Sequence, residues 1–175
     1  AASRPHPYVV GFSMAGDEAG FPAGDFAEAY RIVADAGLGC TIHAGEWAGA
    51  DSVRAALELP VTRISHGVRA IEDPSLVGDL AAGGIVLECC PTSNVVLGVF
   101  ESYETHPLPA LRAAGVRVTL GSDDPPYFGA TIDGEYEVCA ERMGFGDDVL
   151  REITRTAVDA AFCDEDLKVA LRSRL

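Results

Sequence analysis

The apolar run RVTL (117–120) leads, through Gly121 and Ser122, into two adjacent carboxylates, Asp123 and Asp124, with Pro125 and Pro126 directly behind them. Neighbouring acids repel, and a cation or ligand shared between them relieves that repulsion. An aspartate at a strand end is a good hard-oxygen ligand for a divalent ion. Successive strand residues point in different directions, so one carboxylate can hold a metal while the other meets a substrate. Ser-Asp-Asp-Pro is also good turn chemistry, and the pair alone does not choose between the two readings.

Two histidines stand in comparable places. His43 lies in TIHAGE (41–46) and His66 in RISHG (63–67), each ending an apolar stretch with a glycine close behind. A ring nitrogen there can face a metal. Glu46, beyond the permissive Gly45, can turn toward the same cavity. Taken singly, each histidine reads first as a satisfied core side chain; two in consecutive units weaken that reading. Gly16-Asp17-Glu18 follows the first apolar run, and ECCPTSN (88–94) closes the fourth. Cys89 and Cys90 are adjacent, a poor chelating pair, and read as buried thiols. Trp47 either walls a pocket or packs in the core. His106 is given no chemistry, and His6 reads as solvated.

Short apolar runs alternate with amphipathic stretches. YVVGFSM (8–14), GCTIHAGE (39–46), RISHG (63–67), IVLECCP (85–91) and VRVTLGSDD (116–124) are predicted strands. Helices are predicted over 24–37, near 50–58, over 72–84 and 106–115, and near 132–143, 147–160 and 164–172. The first is expected to be capped by Asp25 with Glu28 three residues on, a capping box, and to present Phe26, Tyr30 and Val33 on one face. The third has Asp73 as cap and Pro74 at its first position.

Strict alternation with near-continuous apolar strands argues for a parallel sheet covered by helices. The strands start ~22–31 residues apart, as in minimal βα units. A doubly wound sheet and part of a (β/α)8 TIM-type barrel both fit, but no GxGxxG follows the first strand. Polar groups gathered on the C-terminal ends of several strands are the mark of a barrel's active face. A barrel needs eight strands and ~250 residues. This chain offers five strands in 175 residues, so roughly three βα units are expected to be missing, from the front.

The formal net charge of −14 argues against nucleic-acid backbone or anionic membrane as a partner, although a nucleoside or base stays open. The five scattered cysteines read as reduced thiols of a cytoplasmic protein. No run reaches the ~18 apolar residues of a membrane span. The opening AASRPHPY has no apolar h-region, so no signal peptide is expected; its Pro-rich stretch 3–7 reads as the tail of something upstream.

The motifs MAGDE (14–18), TIHAGE (41–46), RISHG (63–67), ECCPTSN (88–94) and LGSDDP (120–125), in this order and spacing, resemble those of the adenosine deaminases within the metal-dependent amidohydrolase superfamily. The resemblance implies that residues 1–175 are the C-terminal part of one barrel, strands four to eight, with strands one to three absent. It implies a Zn2+ hydrolase, one ion per complete site, converting adenosine and deoxyadenosine to inosine and ammonia in purine salvage. His43 and Asp123 would be zinc ligands. Glu46 would give a proton to purine N1 as water adds at C6, and His66 would orient the attacking hydroxide. Asp124 would meet N7, and the backbone at Gly16 would meet N3. Zinc lowers the pKa of bound water to ~7, and a carboxyl with a raised pKa suits the proton transfer.

The sequence departs from the family in two ways. The His-x-His pair that supplies two zinc ligands is absent, and Ser13 stands where an acidic residue is common. The chain by itself is therefore expected to be inactive and to need its N-terminal part as partner. Two alternatives are a deaminase of adenine or a modified purine on the same scaffold, and a non-catalytic half-barrel that serves as a binding module.

Overall fold

The computed structural model describes residues 6–175, so most of the Pro-rich leading stretch lies outside the described residues. The elements in chain order are β1 (Gly11–Phe12), α1 (Ala27–Asp35), β2 (Gly39–Ala44), α2 (Ala50–Ala56), β3 (Arg63–His66), α3 (Pro74–Gly83), β4 (Val86–Cys89), α4 (Pro91–Val96), α5 (Leu108–Ala113) and β5 (Arg117–Leu120). Four helices follow: α6 (Pro125–Phe128), α7 (Ile132–Glu141), α8 (Asp147–Ala160) and α9 (Glu165–Arg172).

All five strands are parallel and lie in the order β1-β2-β3-β4-β5. A doubly wound sheet reverses its strand order at a switch point. This one never reverses, so it is an arc of consecutive barrel units. β1 and β5 each pair on one side only. Ile42, Ile64, Leu87 and Val118 are buried in register across the sheet, against helix residues such as Tyr30, Val53, Leu76, Leu80 and Leu111. That continuous apolar band is why the strands read as unbroken hydrophobic runs. A polar layer also crosses the sheet: the hydroxyls of Thr41 and Ser65 each donate to Glu88 Oε2 at 3.0 Å.

The predicted elements are present with three differences. The strand expected over 8–14 is regular only at Gly11–Phe12. Its pairing still continues, with the Gly39 amide donating to the Val10 carbonyl and the His43 amide to the Met14 carbonyl. The helix expected from residue 24 starts with a 3-10 turn at Ala23–Phe26, and Asp25 lies inside it, so no capping box forms. Phe26 packs toward the core there, and the Glu28 carboxylate pairs with Arg31 one turn on instead of reaching back. Asp73 does cap α3 as expected, accepting from the amides of Ser75 and Leu76. The short helices α4 and α6 were not anticipated. Trp47 is 53 % exposed, which rules out core packing. His6 is exposed, as expected. Among the described residues no helix is long and apolar enough to cross a membrane.

Candidate active site

The C-terminal ends of β2, β3 and β5 bring the predicted residues together. The backbone is unusual there. Among the described residues only His66 (φ 62°) and Asp123 (φ 52°) combine a side chain with a positive φ. Such strain costs ~1–3 kcal/mol per residue and tends to persist where function holds it. Gly67 (φ 66°) continues the turn after His66, and a Cβ there would lie 2.5 Å from Leu87 Cδ2. The glycine therefore lets β3 end tightly against β4.

The Glu46 carboxylate stands 3.5 Å from His66 Nε2, and Asp123 Oδ2 stands 4.0 Å from that same nitrogen. The His43 ring lies beside them, its centroid 5.2 Å from that of His66. Nδ1 of His43 sits 3.2 Å from the Met14 carbonyl. Donating there leaves Nε2 of His43 as the free lone pair. Glu46 is buried, and its Oε1 has no hydrogen-bond partner among the described residues. Burial first, then the nearby charges of Asp123 and Glu18, push its carboxyl up to about 7. Burial, and next the His43 ring, hold the His66 imidazole below its ordinary value.

Asp124 occupies the N-cap position of α6 but makes no side-chain capping bond. Its carboxylate is exposed and is not spent on the turn. Gly16 (φ 136°) lines a cavity of about 340 Å³ together with Met14, Asp17, Glu18, Phe26, Ile42 and His43, and none of Glu46, His66, Asp123 or Asp124 lines that cavity.

His43 at the end of β2 and Asp123 beyond the end of β5 supply an imidazole and a carboxylate, groups that suit a divalent ion, and the backbone strain at Asp123 is consistent with that use. Zinc takes at least three protein ligands in a catalytic site, so His43 and Asp123 would make only part of a coordination shell. Cys90 is also close: its sulfur, a His66 nitrogen and an Asp123 oxygen all lie within 4.8 Å of one another. Burial pushes the Cys90 thiol far above its ordinary range, which disfavours the thiolate a metal would need.

Several residues around the site were given no role from the sequence. Glu18 is buried after β1, and its carboxylate accepts from the amides of Gly45, Glu46, Trp47 and Ala48 and from the Ser52 hydroxyl. It thereby holds the loop that carries Glu46. Ser93 donates to Asp123 Oδ2 at 2.7 Å. Glu135, buried on α7, accepts from the Thr92 amide at the start of α4. Asn94 joins His66 to His106. The PTSN stretch at the end of β4 marked a strand end, but nothing in its spacing assigned it partners.

His106 is 4 % exposed, and burial alone drives its pKa down from the ordinary 6.5 to about 4. The unfolded chain therefore binds the extra proton between pH 6.5 and 4. This contribution to stability is complete above pH 6.5 and is lost as the pH falls toward 4. Its size is about 3 kcal/mol. Urea unfolding of the full-length protein against pH is expected to show a slope in this window that His106→Gln largely removes. Identical slopes in the two proteins would contradict it.

The family model described as adenosine deaminase matches residues 2–175. An adenine deaminase of Chelativorans sp. (strain BNC1) is 56 % identical over 177 residues, covering 100 % of this chain and 54 % of its own length. One of Mesorhizobium japonicum is 52 % identical, with the same coverage. The crystal structure of an adenine deaminase from Arthrobacter aurescens superposes with a TM-score of 0.90 at 33 % identity, over 94 % of this chain and 50 % of that one. A cog1816 amidohydrolase from Burkholderia ambifaria with bound Zn gives 0.90 at 27 % identity, over 98 % of this chain and 48 % of that one. The chain thus spans about half the length of the curated relatives it matches.

Proposed function

The chain belongs to the adenosine deaminase family of the amidohydrolase superfamily, and from that premise we propose that it is the C-terminal part of a zinc-dependent deaminase whose substrate is adenine. Residues 1–175 form strands four to eight of one (β/α)8 barrel, and the remaining strands and zinc ligands come from the half this chain does not contain. Adenosine was the first expectation. Adenine, the stated alternative, is better supported, because the relatives above 50 % identity carry the name adenine deaminase. The non-catalytic half-barrel module is disfavoured by strained His66 and Asp123 and by a buried Glu46 with an orphaned oxygen, which a scaffold does not require.

The observation that carries the reading is Glu46, a buried carboxyl with a pKa of about 7, 3.5 Å from His66. Zinc, when bound, polarises water toward a nucleophile at neutral pH. His43 and Asp123 would hold it. Water would add at C6 of the purine as N1 takes the proton of Glu46; the first proton of the water would replace it on the Glu46 carboxylate, and the proton of the new C6 hydroxyl would pass to the amino group as the C6–N bond breaks, releasing ammonia and leaving hypoxanthine. The raised pKa keeps the acid form of Glu46 available at neutral pH. His66 orients the attacking water. Asp124 meets the base at N7, and the Gly16 backbone, beside His43 in the cavity, meets N3.

The test is a comparison of adenine and adenosine as substrates of the full-length protein. kcat/KM for adenine is expected to exceed that for adenosine by more than ~10-fold, about 1.4 kcal/mol of discrimination. The reverse ratio would return the assignment to the nucleoside.

A further inference from the structure

We propose that Asn94 and His106 set the tautomer of His66, so that His66 presents an Nε2–H donor, not a lone pair, to the reacting atoms. The proposal rests on the reading of His66 as the residue that orients the attacking water. The direction of the chain of hydrogen bonds follows from a backbone group whose role is fixed. The Leu108 amide can only donate, and it lies 3.2 Å from His106 Nδ1. Nδ1 of His106 is therefore the acceptor. The ring is neutral, because burial holds its pKa near 4, so its proton sits on Nε2. That nitrogen lies 3.1 Å from Asn94 Oδ1 and donates to it. With its oxygen so used, Asn94 directs its amide nitrogen at His66 Nδ1, 3.4 Å away. Nδ1 of His66 must then accept and carries no proton, so the ring's proton lies on Nε2. That is the nitrogen facing Glu46 at 3.5 Å and Asp123 at 4.0 Å.

Burial makes this order binding. Asn94 is 0 %, His66 2 % and His106 4 % exposed, so each proton position answers to a protein partner. Phe100 packs edge-on against His106, with centroids 5.1 Å apart, and holds that ring in place. The consequence is chemical. A His66 with Nε2–H can donate to an oxygen and hold its lone pairs in place. It cannot accept that oxygen's proton or ligate a metal through Nε2. Asn94 and His106 are thus positioning residues that act through His66.

The test is histidine 15N NMR of the full-length protein, with the His66 signals assigned by their loss in His66→Ala. The two neutral tautomers have distinct nitrogen shifts. Wild type is expected to show Nε2–H at His66. Asn94→Asp keeps the shape but offers two acceptors, and it is expected to place a proton on His66 Nδ1. kcat for adenine should then fall about 10–100-fold, the usual cost of a lost outer partner, with KM changed less than ~3-fold. His106→Gln, which still donates an N–H, should keep the wild-type signature, whereas His106→Leu should mix the tautomers. Nδ1–H at His66 in the wild type would overturn the proposal, as would an unchanged signature in Asn94→Asp. A changed signature with unaltered kcat would overturn the catalytic consequence. Absence of adenine turnover in the wild type would defeat the proposed substrate instead, and the NMR result would still decide the tautomer.

Discussion

Glu46→Gln is expected to lower kcat for adenine in the full-length protein by about 10²–10⁴-fold, the usual contribution of a positioned general acid. The substitution is nearly isosteric, and the Glu18 carboxylate binds the backbone of the loop, not the side chain at position 46. The loop therefore keeps its course. What Gln lacks is the acidic proton. The Glu46 environment is unusual for a carboxyl, buried and facing the charges of Asp123 and Glu18, and that is what raises its pKa to about 7. An amide carries no such charge, so the site should become less electrostatically crowded. Stability is accordingly expected to stay level or rise slightly, a trade between activity and stability that is common where a site stores repulsion. Zinc content should be unchanged, because Glu46 is not assigned as a ligand. The measurement is steady-state turnover beside metal analysis and urea unfolding. Near-normal turnover with metal retained would sink the role of Glu46.

The sequence made the strand ends legible, because each strand is a near-continuous apolar run that stops at ionisable residues beside a glycine or proline. His43, Glu46, His66 and Asp123 are all found this way, and the structure places the carboxylates of Glu46 and Asp123 3.5 and 4.0 Å from His66 Nε2. The strain at His66 and Asp123 was not legible, since neither is a glycine and nothing in composition signals a positive φ. The partners were missed for a different reason. Asn94 and His106 lie 28 and 40 positions beyond His66 in the chain, and Glu18 lies 28 before Glu46. No helical or strand period links such positions. They meet only because consecutive βα units set their loops side by side. α4 and α6 span six and four residues, too few for a helical period. Their only mark is a proline at the first helical position, Pro91 and Pro125, a signal that also reads as a turn. Asp25 failed as a cap because capping depends on where the first turn starts, and here the chain enters through a 3-10 turn led by Pro22.

Asp123→Asn is expected to separate metal binding from folding more cleanly than any other change in this chain. Asn is among the few side chains that tolerate a left-handed backbone, so φ 52° at this position is no harder for it to adopt. Its side-chain oxygen can still accept from Ser93, which now donates to Asp123 Oδ2 at 2.7 Å. Unfolding free energy of the metal-free protein should therefore move by less than about 1 kcal/mol. The charge is lost, and with it the carboxylate that a divalent ion prefers. It would leave His43 as the sole assigned ligand from this half. Zinc should dissociate at concentrations where the wild type holds it, and turnover should fall by about 10³-fold or more, since the nucleophile then loses its polarising ion. Equilibrium dialysis against zinc gives the first quantity, adenine turnover the second and urea unfolding after chelation the third. Retained zinc would remove Asp123 from the ligand set and leave its strained backbone to be explained by Ser93 and the turn alone. Lost zinc with a stable fold would show that the strain at Asp123 is held for the ion, and that the fold does not depend on it.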